Sequence, residues 1–75
     1  GLLAGQANAL ERQGTLQVGQ ERYQEALDSW VRALSLDTHL PELQQHQLRK
    51  KIDILVAERH LEDEYRVCRE RCGLA

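Results

Sequence analysis

The chain of 75 residues carries 10 Lys and Arg against 12 Asp and Glu, for a formal net charge of −2 and a pI near 5.9. That length allows one domain at most and buries only roughly 60% of the surface exposed by the unfolded chain, which excludes an enzyme built from two lobes. There is no basic excess to grip nucleic acid, and the longest apolar run, Ile54 to Ala57, falls far short of the ~20 residues that cross a bilayer, so neither nucleic acid nor membrane insertion is expected.

A hydrophobic fraction of 41% and a charged fraction of 29% are ordinary for a globular domain rather than a disordered tail. No basic stretch followed by an apolar one marks a secretory signal. Methionine is absent even at position 1, so the chain is read as a fragment of a larger protein, with Gly1 a remnant of a cleaved tag. Ala, Leu, Glu, Gln, Arg and Lys fill the chain, Pro41 is its single proline, and no segment alternates as a strand would. An all-α fold is expected.

The first helix is predicted over about 2–18. Leu3, Ala7, Leu10 and Gly14 recur at intervals of four, three and four and so share one face. Two of them are Ala or Gly, which suits the close approach of a second helix, at a helix-propensity cost of roughly 1 kcal/mol for the glycine. Gly19 and Gln20 supply the stop and turn.

The second helix is predicted over about 22–36, with Tyr23, Ala26, Leu27, Trp30, Ala33 and Leu34 on one broad stripe. Trp30 dominates it, because an indole buries on the order of 150–250 Å² and its N–H needs a partner. Asp37, Thr38, His39, Leu40 and Pro41 then form a connection, since a residue before proline resists helix and Pro41 suits the start of the next one.

The third helix is predicted as one rod over about 41–71, roughly 45 Å long at 1.5 Å per residue. Its apolar face changes direction along the way. Leu48, Ile52, Leu55 and Val56 share one side; Leu61, Tyr65, Cys68 and Cys72 share another, with Leu43 and Ile54. The rod therefore bends or breaks near 58–60, or its second half packs on something other than the first hairpin. The expected core is Leu10, Tyr23, Ala26, Leu27, Trp30, Ala33, Leu34, Ile52, Leu55 and Val56.

The run from Tyr23 to Asp37, YQEALDSWVRALSLD, resembles the second helix of a tetratricopeptide repeat, with an aromatic, alanines at 26 and 33, a large aromatic at 30 and a closing Leu-x-Leu-Asp. Projected backwards, Gly14 falls at the family's small position of the first helix and Leu10 where tryptophan is usual. The match covers about half of the chain. It departs in the turn glycine, displaced to Gly19, in Thr38 where a proline closes the repeat, and in having no second copy, whereas an array needs about three repeats. The resemblance implies an antiparallel hairpin acting as a scaffold or adaptor, and with the longer third helix read above the expected fold is a three-helix bundle. Family members that grip a C-terminal carboxylate use Lys and Asn on the first helix; Glu11, Arg12 and Thr15 stand here instead. Second, the Tyr-x-x-Ala-Leu spacing is similar to that of microtubule-interacting and transport domains, which recruit membrane-trafficking machinery.

Candidate chemistry is sparse. His60, Cys68 and Cys72 face roughly one way, but zinc wants four ligands from more than one element, so no metal is expected. Cys68 and Cys72 are too close in sequence for a bridge that staples a fold, and reduced thiols suit a cytoplasmic protein. No nucleophile–base pair, paired buried carboxylates or phosphate loop can be assembled, so neither catalysis nor a cofactor is expected. Arg49, Lys50 and Lys51 form a basic knot and Glu62 to Glu64 an acidic one, either solvated faces or steering patches for a charged partner. The expectation is a module binding a peptide or helix of another protein through an exposed stripe of Leu61, Tyr65 and Cys68 with Arg49, Lys50 and Lys51. Self-association would use the same helix. The alternatives are a stripe that folds back as a fourth helix, and a purely structural repeat of a larger scaffold.

Overall fold

A computed structural model describes residues 2–36 and 40–73, with side chains from residue 5 onward. Among the described residues there are four helices and no strand: α1 (Leu2–Gly19), α2 (Tyr23–Leu34), α3 (Glu42–Arg59) and α4 (Glu62–Arg71). The all-α class follows from a chain of helix formers. The expected three-helix count does not hold, because the rod predicted over 41–71 is broken at His60 and its second half is a separate helix. The longest dimension of the molecule is 33 Å, too short for a straight 45 Å rod. The expected connection at Asp37, Thr38 and His39, and the side chain of Leu3, lie outside the described residues.

α2 is the centre. Ala26, Leu27, Ser29, Trp30, Val31, Ala33 and Leu34 are all buried and sweep roughly 200° of its circumference at 100° per residue. Each of the other helices packs on it, most extensively α1, whereas α3 and α4 meet only slightly and α1 makes little backbone contact with either. α1 presents Ala7, Gly14 and Gln17 fully, and Leu10 and Val18 partly, towards the interior. The indole of Trp30 lies directly on Gly14, where any Cβ would overlap its Cδ1 and Nε1. The missing side chain also opens the α1 backbone, so that Trp30 Nε1–H donates to the Glu11 carbonyl at 3.0 Å. The one polar atom of the largest core side chain is thereby satisfied.

α3 buries Leu48, Ile52, Leu55 and Val56, spaced as one helical face, against α2. Its N-terminal half is tied to α1 by polar side chains. Gln44 Nε2 donates to Asn8 Oδ1 (2.6 Å) and Glu11 Oε2 (2.9 Å), and Lys51 Nζ donates to Glu11 Oε1 (3.1 Å). Burial alone would raise the Glu11 carboxyl pKa, but hydrogen bonds from Gln44 and Lys51 and the Lys51 charge outweigh it, leaving the group below the ordinary range. At the other end, Arg59 Nη2 donates to Tyr23 Oη (2.8 Å) and its guanidinium lies 3.9 Å over the Tyr23 ring, joining the end of α3 to the start of α2.

The turns α1–α2 and α3–α4 use the same device. In the first, Arg22 N–H bonds the Gln17 carbonyl (2.8 Å) and Glu21 N–H the Val18 carbonyl (3.0 Å), with Glu21 left-handed at φ 62°. In the second, Leu61 N–H bonds the Val56 carbonyl (3.1 Å), with His60 left-handed at φ 55°. These are Schellman-type stops, which glycine normally occupies. Here neither left-handed residue is glycine: Gly19, expected to make the first turn, is the last residue of α1 and the left-handed position falls two residues later. After the second stop, Leu61 is buried and α4 opens with Glu62, Asp63 and Glu64 and closes with Arg69 and Arg71, both favourable to its dipole.

Candidate functional site: a groove between α1 and α4

α4 lies alongside α2 in the same sense. Leu61 sits near Tyr23 and Gln24, the Cys68 thiol donates to Asp28 Oδ1 at 3.8 Å, and Cys72 lies near Asp28 and Arg32. α1 runs along the other flank of α2, and because α1 and α4 make little direct contact, a groove of about 560 Å³ remains between them. α1 contributes Leu10, Gln13 and Gln17; the floor is the i, i+4 row Gln24, Asp28 and Arg32 of α2 with Glu25 and Ser29 beside it; α4 contributes Asp63, Glu64, Val67, Cys68 and Arg71.

The floor is polar and tied down. Ser29 Oγ–H donates to Gln17 Oε1 at 2.7 Å, although both residues are buried, and Gln17 Nε2 reaches Glu25 Oε2 at 3.5 Å. Glu25 pairs with Arg22, and Asp28 with Arg32 at 3.1 Å. Among the described residues no buried side-chain nitrogen or oxygen lacks a partner. Charge is graded along the groove: Glu25, Asp63 and Glu64 stand at the end where α2 and α4 begin, Arg32 and Arg71 at the end where they finish. Val67, 42% exposed, and half-buried Leu10 supply apolar lips on opposite walls.

Both thiols are pushed up from their ordinary pKa, chiefly by burial and then by the Asp28 carboxylate, which disfavours thiolate. Among the described residues no three His, Cys, Asp or Glu side chains gather as a metal would require, and no helix is long and apolar enough to cross a membrane.

The structure does not bring the expected partner-binding residues together. Leu61 and Cys68 are buried in the core and Tyr65 is half-buried beneath Arg69, so the stripe expected to be exposed is the face by which α4 packs on α2. The physical reason is the left-handed break at His60, which turns that face inward. Arg49, Lys50 and Lys51 are exposed on α3, away from the groove, with Lys51 engaged by Glu11. Of the expected core residues, Ala26, Leu27, Trp30, Ala33, Leu34, Ile52, Leu55 and Val56 are buried, while Leu10 and Tyr23 are partly exposed at its edge. Gln13, Gln17, Asp28 and Val67 were not singled out from the sequence. Polar helix residues read as solvated there, and the one available signal was Val67, apolar yet out of phase with the Leu61–Cys68 face. No protein-family model, curated protein or solved structure matches the chain.

Proposed function

We propose that this chain is a protein-interaction module whose α1–α4 groove receives an amphipathic helix of a partner protein. The observation that carries the reading is the slot itself: α1 and α4 flank α2 with little contact between them, leaving room along a floor whose buried polar groups all have partners. A partner helix would set apolar residues against Leu10 and Val67, Lys or Arg towards Glu25, Asp63 and Glu64, and Asp or Glu towards Arg32 and Arg71. The packing of Trp30 on Gly14, a large aromatic on a small residue between antiparallel neighbours, supports kinship with tetratricopeptide-type hairpins, and a place in a scaffold or adaptor follows from that kinship.

The test is a pair of synthetic amphipathic helical peptides with one leucine stripe and opposite order of charge, titrated into isotope-labelled protein. The matched peptide should shift the amide signals of Gln13, Gln17, Asp28 and Val67, and the double variant Asp63→Lys, Glu64→Lys should weaken it about tenfold or more. Signals moving only on α3, or equal binding of both peptides, would remove the reading.

A further inference from the structure

We propose that the α3–α4 turn is a hinge through which α4 is exchanged between two copies of this chain, giving a dimer in which the α4 of each copy lies on the α2 of the other. The turn rests on His60 and, next to it, on Leu61, which at φ −101° and ψ 28° also lies outside the helical region. His60 holds φ 55° and ψ 50°, a left-handed conformation that costs a side-chain-bearing residue of the L series and that glycine would adopt freely. Glu58, Arg59, Leu61 and Glu62 around it include neither glycine nor proline. Returning His60 to the right-handed helical region, with a smaller change of ψ at Leu61, makes α3 and α4 one rod from Glu42 to Arg71, roughly 45 Å long. The turn bond from Leu61 N–H to the Val56 carbonyl is then replaced by ordinary helical bonds.

What α4 leaves behind decides who can receive it. It packs on α2 and only slightly on α3, so straightening disrupts few contacts between α3 and α4 but uncovers Leu61, Cys68 and the α2 surface under them. A second copy, straightened likewise, offers the identical surface and the identical α4. Every contact of α4 with α2, including Cys68 to Asp28, is remade between chains, and both His60 residues leave the left-handed region. Short connections under strain favour such exchange. The inference stands apart from the groove reading, since α4 covers α2 in the same way in both states.

The experiment measures mass in solution by light scattering after refolding the chain at high and low concentration, for the unaltered protein, His60→Gly and His60→Ala. The dimer should form on refolding at high concentration. His60→Gly should raise its dissociation constant about tenfold or more, because glycine relieves the bent form and disfavours the straight one, and His60→Ala should lower it. To separate exchange from surface association, Asp28→Cys with Cys72→Ser is treated in the dimeric fraction with a short bifunctional thiol cross-linker. Exchange links Cys68 to the new thiol of the other chain and gives a covalent dimer. Monomers throughout, equal dissociation constants for the two His60 variants, or links confined within one chain of the dimer would each overturn the proposal.

Discussion

Gly14 and Glu11 lie one helical turn apart on α1 and hold α2 and α3 respectively. At Gly14 a methyl group has nowhere to go, because the indole it would meet is itself buried and hydrogen-bonded to the backbone just before it. Gly14→Ala gains about 1 kcal/mol of helix propensity yet should lose about 2 kcal/mol net, since the tightly packed Trp30 ring must move. Denaturant midpoints with tryptophan fluorescence measure this, and an unchanged or raised midpoint would contradict the packing. At Glu11 the pKa is depressed in the folded state, so its contribution is present above the unfolded value and lost as pH falls through the folded one. Glu11→Gln should therefore lower stability at neutral pH by about 1 kcal/mol and flatten its decline on acidification below the ordinary carboxylate range. Spacing made a close approach at Gly14 legible in the sequence. The buried Ser29–Gln17 pair was not, because a serine and a glutamine on helices read as surface until their partners are known.

At the scale of elements, the two Schellman-type turns carry a removable cost. Glu21 and His60 both occupy a region that favours glycine, and both are exposed. Glu21→Gly and His60→Gly should each raise the unfolding free energy by about 1 kcal/mol, read from denaturant titration at low protein concentration. Loss of stability in both would mean that the turns are not left-handed in solution. A bend or break near 58–60 was legible from the sequence and falls at His60, but the absence of glycine hid that it is a left-handed stop. The change of apolar phase between Val56 and Leu61 was visible, but a run of helix-forming residues gives no sign that the chain folds back rather than carrying an exposed stripe onward. The groove was illegible for a related reason: it exists only because α4 returns to lie beside α2.

For the whole molecule, the all-helical class could be read from composition and periodicity, whereas the arrangement follows from α2 being the shared neighbour of three helices. Amide exchange should be graded accordingly. Protection is expected to be greatest at Leu27, Trp30 and Val31, which are buried from several sides, and least in α4, a helix too short to persist alone that holds the core through Leu61 and Cys68. Protection in α4 equal to that in α2 would contradict this order. Because the outer helices answer to α2 more than to one another, substitutions on α1, α3 and α4 can accumulate separately away from the Asn8, Glu11, Gln44 and Lys51 cluster, each judged against one unchanging surface. α2 has no such latitude: its buried face meets three tenants, and a survey of all single substitutions should find its seven buried positions the least forgiving of the chain.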